Sequence, residues 1–204
     1  MMEPQHGRPR QARSRETYGK ILTAALDILG TEGLEKFNTN LVAERAGVPV
    51  ATIYRYFPDK ISIMATLADQ AVAEWNHWFD AAEALIAPGQ DFLPIWEDLI
   101  DTYVAGVKAM PAGTALRRAM HAVPELRRID LRDNQALSGR LGRVFECLYP
   151  EIPPESLHRI AAILLETAVA CIDLSLESST EEAAALIAEL KTLHRGYLTQ
   201  KLLG

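Results

Sequence analysis

The 204-residue sequence predicts an all-α protein in two domains, an N-terminal three-helix domain carrying a helix-turn-helix and a C-terminal helical bundle. Three observations carry this. Apolar residues recur at three- and four-residue steps along most of the chain, with no strand alternation and no internal repeat. Prolines and glycines at 88–89, 111, 124 and 150–154 cut that pattern into helix-length segments. Charge is divided as well: residues 1–60 hold nine Lys/Arg against seven Asp/Glu, and residues 61–204 hold twelve against twenty. A basic front segment on a chain of net charge −6 suits an anionic partner at that end only.

Residues 1–13, MMEPQHGRPRQAR, are rich in proline, glycine and charge and are expected to be disordered. They read either as a solvated tail or as a basic arm in which Arg8, Arg10 and Arg13 reach the DNA backbone or minor groove, with Arg15 beside them. The first domain covers residues 14–60 and the bundle 61–204. Ser14 is a good N-cap for a helix ending near Glu32, with Gly33 as its stop. Tyr18, Ile21, Leu22, Ala25, Ile28 and Leu29 form its apolar stripe. Asn38 caps a helix over Thr39–Ala46, a third helix runs from about Pro49 to Phe57, and Pro58-Asp59 starts another at Lys60. Ile61, Met64, Ala68, Ala71, Trp75, Trp78, Ala82 and Leu85 hold the helical period up to Pro88-Gly89. One long helix therefore leads from the first domain into the bundle, a possible lever between them. Further helices are expected over Phe92–Met110, Thr114–Ala122, Leu126–Leu148, Glu155–Leu176 and Thr180–Leu202.

The stretch TNLVAERAGVPVATIYRYFPDK, Thr39 to Lys60, has what two short helices crossing steeply require. Ala43 lets the second helix approach, Gly47 can take the positive φ that ends the first, and Ile53 buries in the angle between them, with Val48 closing the turn. Tyr54, Arg55, Tyr56 and Lys60 then put hydroxyls and cations around one core anchor, Phe57. A purely structural hairpin has no need of so many phosphate-binding groups, and the motif reads as one that presents a recognition helix to double-stranded DNA.

At these residues the chain resembles the TetR family of bacterial transcriptional regulators: Phe37-Asn38-Thr39, Val42-Ala43, Ala46-Gly47-Val48, Thr52-Ile53-Tyr54, Tyr56-Phe57 and Lys60 follow its pattern. The motif covers about the first third of the chain; the remainder agrees only in length and helical character. Two positions depart from it. Pro49 stands where the family often has a capping serine, and Ala51 where glycine is frequent. The resemblance implies that Asn40 reaches into the major groove, where asparagine suits adenine. Val50 and Ala51 can touch thymine methyl groups, Thr39, Thr52, Tyr54, Tyr56 and Lys60 should hold phosphates, and Arg55 either.

The last two helices carry more apolar surface than one core needs. Leu164, Ile172, Leu186, Leu190, Leu193 and Tyr197 belong either to a monomeric core or to a homodimer seam. The resemblance implies the dimer, whose two-fold axis sets the recognition helices roughly 34–40 Å apart on an inverted repeat. The middle helices collect Trp75, Trp78, Phe79, Trp96, Tyr103, Met110, Met120 and Phe145, which fill a core or border a pocket. The resemblance implies a pocket for a small apolar effector, with Arg117, His121 and Glu166 as candidate polar contacts. The expected function is a ligand-responsive repressor. Its rivals are a regulator of the same fold with no effector, and a small-molecule-binding bundle whose helix-turn-helix is vestigial.

No enzyme or cofactor chemistry is expected. The histidines at 6, 77, 121, 158 and 194 lack metal-ligand spacing, and neither a glycine-rich phosphate loop nor G-x-S-x-G is present. Cys147 and Cys171 read as buried, reduced thiols rather than a redox pair. With no apolar run of membrane length and no leader pattern, a soluble cytoplasmic protein with no membrane partner is expected.

Overall fold

The computed structural model describes residues 12–87 and 90–203. Among the described residues are ten α-helices and no strand: α1 (Ala12–Thr31), α2 (Gly33–Lys36), α3 (Thr39–Ala46), α4 (Val50–Tyr56), α5 (Lys60–Glu83), α6 (Phe92–Ala109), α7 (Gly113–Ala122), α8 (Pro124–Leu148), α9 (Pro154–Glu177) and α10 (Thr180–Leu198). A wider helical turn, Thr199–Leu203, follows α10, so the last helix stops short of its expected end. None of these helices is long and apolar enough to cross a membrane. The break expected at Pro88-Gly89 lies outside the described residues.

The chain divides into two compact units, and their limits differ from the expected boundary at residue 60. The first holds the chain up to Ala71 together with Met110–Ile129; the second holds Val72–Ala109 and Asp130–Gly204. The first half of α5 falls with α1, α3 and α4 because Ile63, Met64, Leu67, Ala68 and Ala71 are all buried. Short α7 joins them. Its entry residue Ala112 adopts a left-handed backbone, φ 53°, against Gly30 of α1, where a larger side chain on either would be crowded.

In the first unit α1 packs along α3 through the expected stripe, with Ile21, Ala25 and Ile28 fully buried. Asn38 caps α3 by accepting from the Leu41 N–H at 3.0 Å, and Gly47 ends it at φ 65°. Gly33 also has positive φ, 79°, but α2 follows it at once, a turn of helix the periodicity did not reveal. Two expectations at the start fail. The chain is already helical at Ala12, so Arg13 lies in α1 rather than in a disordered arm, its carbonyl accepting from Thr17 at 3.1 Å. Ser14 is accordingly no cap: its hydroxyl lies 2.9 Å from that of Tyr56. Residues 1–11, with Arg8 and Arg10, lie outside the described residues. The second helix of the motif starts at Val50, Pro49 standing just before it.

The core of the second unit gathers Phe92, Trp96 and Ile100 of α6, Leu141 and Phe145 of α8, Leu157, Leu164 and Leu165 of α9 and Leu190 and Leu198 of α10. Arg140 of α8 stacks 4.6 Å over the Phe79 ring and pairs with Asp80 and Glu83, which fastens the end of α5 to α8. The indole of Trp78 lies on Gly106 of α6, where an added Cβ would overlap it. Gly106→Ala should therefore swing Trp78 off α6. It should cost about 1–2 kcal/mol even after alanine's helix preference is credited, with a red-shifted tryptophan emission. A thermal melt and an emission spectrum check this; an unshifted spectrum would mean that the indole is not seated there. Against expectation Cys147 is exposed and Cys171 only half-buried.

Candidate nucleic-acid interface and effector cavity

The helix-turn-helix sorts its side chains by burial. Ile53 and Phe57 are buried, whereas Asn40, Val50, Ala51, Tyr54, Arg55 and Lys60 are exposed and Thr39, Thr52 and Tyr56 half-buried. Two tyrosine hydroxyls are positioned by neighbours: Tyr54 lies 3.2 Å from Thr39 Oγ1, and Tyr56 lies 2.9 Å from Ser14 Oγ. A hydroxyl has one proton and two acceptor sites, so if Thr39 and Ser14 donate, both phenols keep their O–H for a phosphate. Tyr18 of α1 stacks on Phe57 at 5.2 Å and meets Tyr56 edge-on at 5.9 Å, fixing the end of α4. Tyr18 belongs to the expected stripe of α1, whereas Ser14, one turn before it on the same face, was missed as a support of this surface. Arg55 lies 5.8 Å from the Tyr56 ring, and Arg13 and Arg15 are exposed on the first turns of α1. Arg45, by contrast, is engaged by Asp27 and Glu32 within the unit.

In the second unit a cavity of about 60 Å³ lies between α5, α6, α8 and α9. Of the ten expected ligand residues, Trp75, Trp96 and Tyr103 line it. Trp78 sits on Gly106 and the edge of Tyr103, and Phe145 packs edge-on against Phe92 and Tyr149; neither lines the cavity. Glu166 faces outward, exposed on α9. Met110, Arg117, Met120 and His121 belong to the other unit. There Met120 is fully buried, and exposed His121 lies 3.3 Å from Arg117 and 3.2 Å from Arg127, at hydrogen-bonding distance of both guanidinium groups. Phe79, named among the middle-helix aromatics, lines it too; the walls that sequence reasoning missed include Leu99, Ile100, Leu165 and Ala168, with Asp133 and Asn134 supplying the polar end of the cavity. Asp133 is oriented by Asn76, whose amide donates to it at 2.7 Å. The missed signal was legible: Leu126, Asp130, Asn134, Leu141 and Phe145 share one stripe of α8, and all five are buried.

Behind the cavity wall Trp96 donates its indole N–H to His194 Nδ1 at 2.9 Å. An indole nitrogen only donates, so the imidazole proton resides on Nε2, which lies 2.8 Å from Thr167 Oγ1. The Thr167 hydroxyl in turn donates to the Ile163 carbonyl at 2.6 Å. Burial lowers the His194 pKa from 6.5 to about 4. An unfolded chain therefore binds a proton here over a range where the folded chain does not. Stability should be fully present above pH 6.5 and decline as pH falls towards about 4. The loss should reach about 3 kcal/mol, and urea titrations across that range should show His194→Gln with a shallower acid loss than the wild type.

The expected seam residues divide. Leu164 and Leu190 are buried in the unit's own core and Ile172 lines the cavity, so none of the three is available to a second copy. Leu186 and Tyr197 are half-buried, and Leu193 is 57% exposed. α9 and α10 pack along each other, and Ile163 at 47% and Leu174 at 54% are further large apolar side chains exposed on them.

Residues 94–202 match the family model described as tetracyclin repressor-like, C-terminal domain, and residues 21–67 match that of bacterial regulatory proteins, tetR family. The chain is 29% identical over 84 residues to the HTH-type transcriptional regulator YvdT of Bacillus subtilis, which covers 41% of this chain and 42% of that one. It is 44% identical over 52 residues to the HTH-type transcriptional repressor KstR of Mycolicibacterium smegmatis, 26% of either chain. The chain thus spans less than half the length of these two relatives. An HTH-type transcriptional regulator of Mycobacterium tuberculosis is 26% identical over 193 residues, 90% of this chain and 95% of that one. A TetR-family transcriptional regulator from Streptomyces coelicolor shares the fold, with a TM-score of 0.64 at 24% identity over 91% of this chain and 99% of that one.

Proposed function

Because the chain belongs to the TetR family of DNA-binding transcriptional regulators, we propose that it is a dimeric repressor that a small apolar effector releases from an inverted-repeat operator. It acts in the cytoplasm. The observation that carries the DNA reading is the sorting of α4, which buries Ile53 and Phe57 while Val50, Ala51, Tyr54 and Arg55 are exposed. Repression follows the role of the repressor KstR, similar over the DNA-binding segment. The dimer reading rests on the exposed Ile163, Leu174 and Leu193. α5 belongs to both units by chain continuity. An effector that favours a bundle state holding two heads at the wrong separation then lowers operator affinity by a coupling free energy of ~1–3 kcal/mol.

Selection of bound sequences from random DNA, with and without a library of apolar compounds, tests this reading. Asn40→Ala should relax the preference at one base pair per half-site, worth ~1–3 kcal/mol of discrimination. Lys60→Ala should weaken every sequence alike and lower the salt slope by about one. Equal losses on all sequences from both variants would remove Asn40 from base reading. The small cavity favours a second reading, a regulator without effector: about 60 Å³ is well below the roughly 300–1,000 Å³ of common ligand sites. An operator complex that no compound in the library dissociates would support it.

A further inference from the structure

A second hollow in the same unit, about 340 Å³, opens where the start of α6, the end of α8 and the end of α10 meet. Phe92, Leu93, Leu148 and Leu198 give it apolar walls, and Asp91 and Tyr149 are among its polar lining. Trp96 lines the inner cavity and Phe92 the outer hollow. The two rings, one helical turn apart on α6, stack at 5.8 Å with 24° between their planes. The stacked pair thus presents one ring to each space, and Trp96 is bonded to His194.

We propose, resting on the effector reading above, that the two hollows are the ends of one channel for a linear, mostly apolar molecule with an uncharged hydroxyl head, with Trp96 as the door between them and His194 as its latch. The inner cavity alone is too small for such a molecule; the outer hollow is already within the range of ordinary ligand sites, and the inner one adds a mostly apolar end for the tail. The head stays in the outer hollow. Burial, then Asp91 and Glu151, raises the Tyr149 pKa, so the phenol remains a neutral hydrogen-bonding partner. The same two carboxylates disfavour an anionic head. The tail passes Phe92 once the indole turns aside. Turning breaks the Trp96–His194 bond, and because burial keeps His194 neutral the latch is an acceptor near neutral pH. His194 is thus a positioning residue, acting on the ligand through Trp96.

The test is calorimetry and stopped-flow tryptophan fluorescence on the full chain, with n-decanol and sodium decanoate as probes. Decanol should bind and decanoate should bind at least tenfold more weakly. His194→Phe, which keeps a ring but no acceptor, should speed decanol association roughly fivefold, the rate equivalent of one hydrogen bond, and His194→Gln should restore the slow rate. Leu93→Phe narrows the outer hollow and Val169→Phe the inner one. Each should weaken decanol by tenfold or more while the thermal melt remains cooperative; Leu148→Phe and Leu99→Phe replace any variant that does not fold. Loss from Val169→Phe alone would leave an effector in the inner cavity and overturn the channel. Absence of decanol binding, equal binding of decanoate, or an unchanged association rate in His194→Phe would each overturn the proposal.

Discussion

Leu190→Asp is expected to unfold the bundle unit rather than to separate a dimer into intact copies. Leu190 is 2% exposed and packed in a core shared by α6, α8, α9 and α10. An aspartate there enters an apolar core, and an uncompensated buried charge costs about 3–5 kcal/mol beyond the lost apolar burial. That approaches the whole stability of an ordinary domain, about 5–15 kcal/mol. Leu193, three residues on, is 57% exposed, and Leu193→Asp should change the stability of a single chain by no more than about 0.5 kcal/mol. If the dimer forms through the outer face of α9 and α10, that same variant brings two charges into the seam. It should then sediment as a folded monomer with weakened operator binding. Circular dichroism melts beside sedimentation velocity separate the cases. A Leu190→Asp protein with an unchanged melt contradicts its place in the core, and a Leu193→Asp dimer of wild-type affinity removes this face from the seam.

The contrast between these two leucines marks where sequence reasoning runs out. The head was legible because its determinants are local. Gly47 ends a helix through its own backbone freedom, and Asn38 caps through an atom three residues away. Ser14 misled for the same reason: a hydroxyl before an apolar run is a cap signal, but its partner is Tyr56, 42 residues on. In the bundle, periodicity finds the apolar stripe of a helix without saying which neighbour receives it. Leu164, Ile172 and Leu190 were indistinguishable from Leu193 by spacing, yet the first three face inward. Met120 and Arg117 had the composition of a pocket but belong to the other unit, because chain order does not reveal that α7 packs with α1. The most informative overlooked residues were polar. Asp130 and Asn134 interrupt an apolar stripe on α8, and a buried carboxylate or amide in such a stripe requires partners that a leucine does not.

Trp96→Ala should cost about 3–5 kcal/mol, the usual range for deleting a buried large aromatic. Three losses combine: an indole 3% exposed, its stack on Phe92, and its hydrogen bond to His194. Trp96→Phe keeps a ring against Phe92 but leaves His194 Nδ1 a buried acceptor without its donor, a penalty of about 1–3 kcal/mol. The order of melting should therefore be wild type, then Trp96→Phe, then Trp96→Ala. The effector side of the same residue gives an independent readout, since linkage is reciprocal: saturating operator must weaken effector binding by the factor with which effector weakens operator. A wall residue changes the effector affinity itself, and operator affinity in the absence of effector should stay unchanged. A variant that loses stability in this order with an unaltered effector response would make Trp96 a packing residue only, and the cavity beside it a void rather than a site.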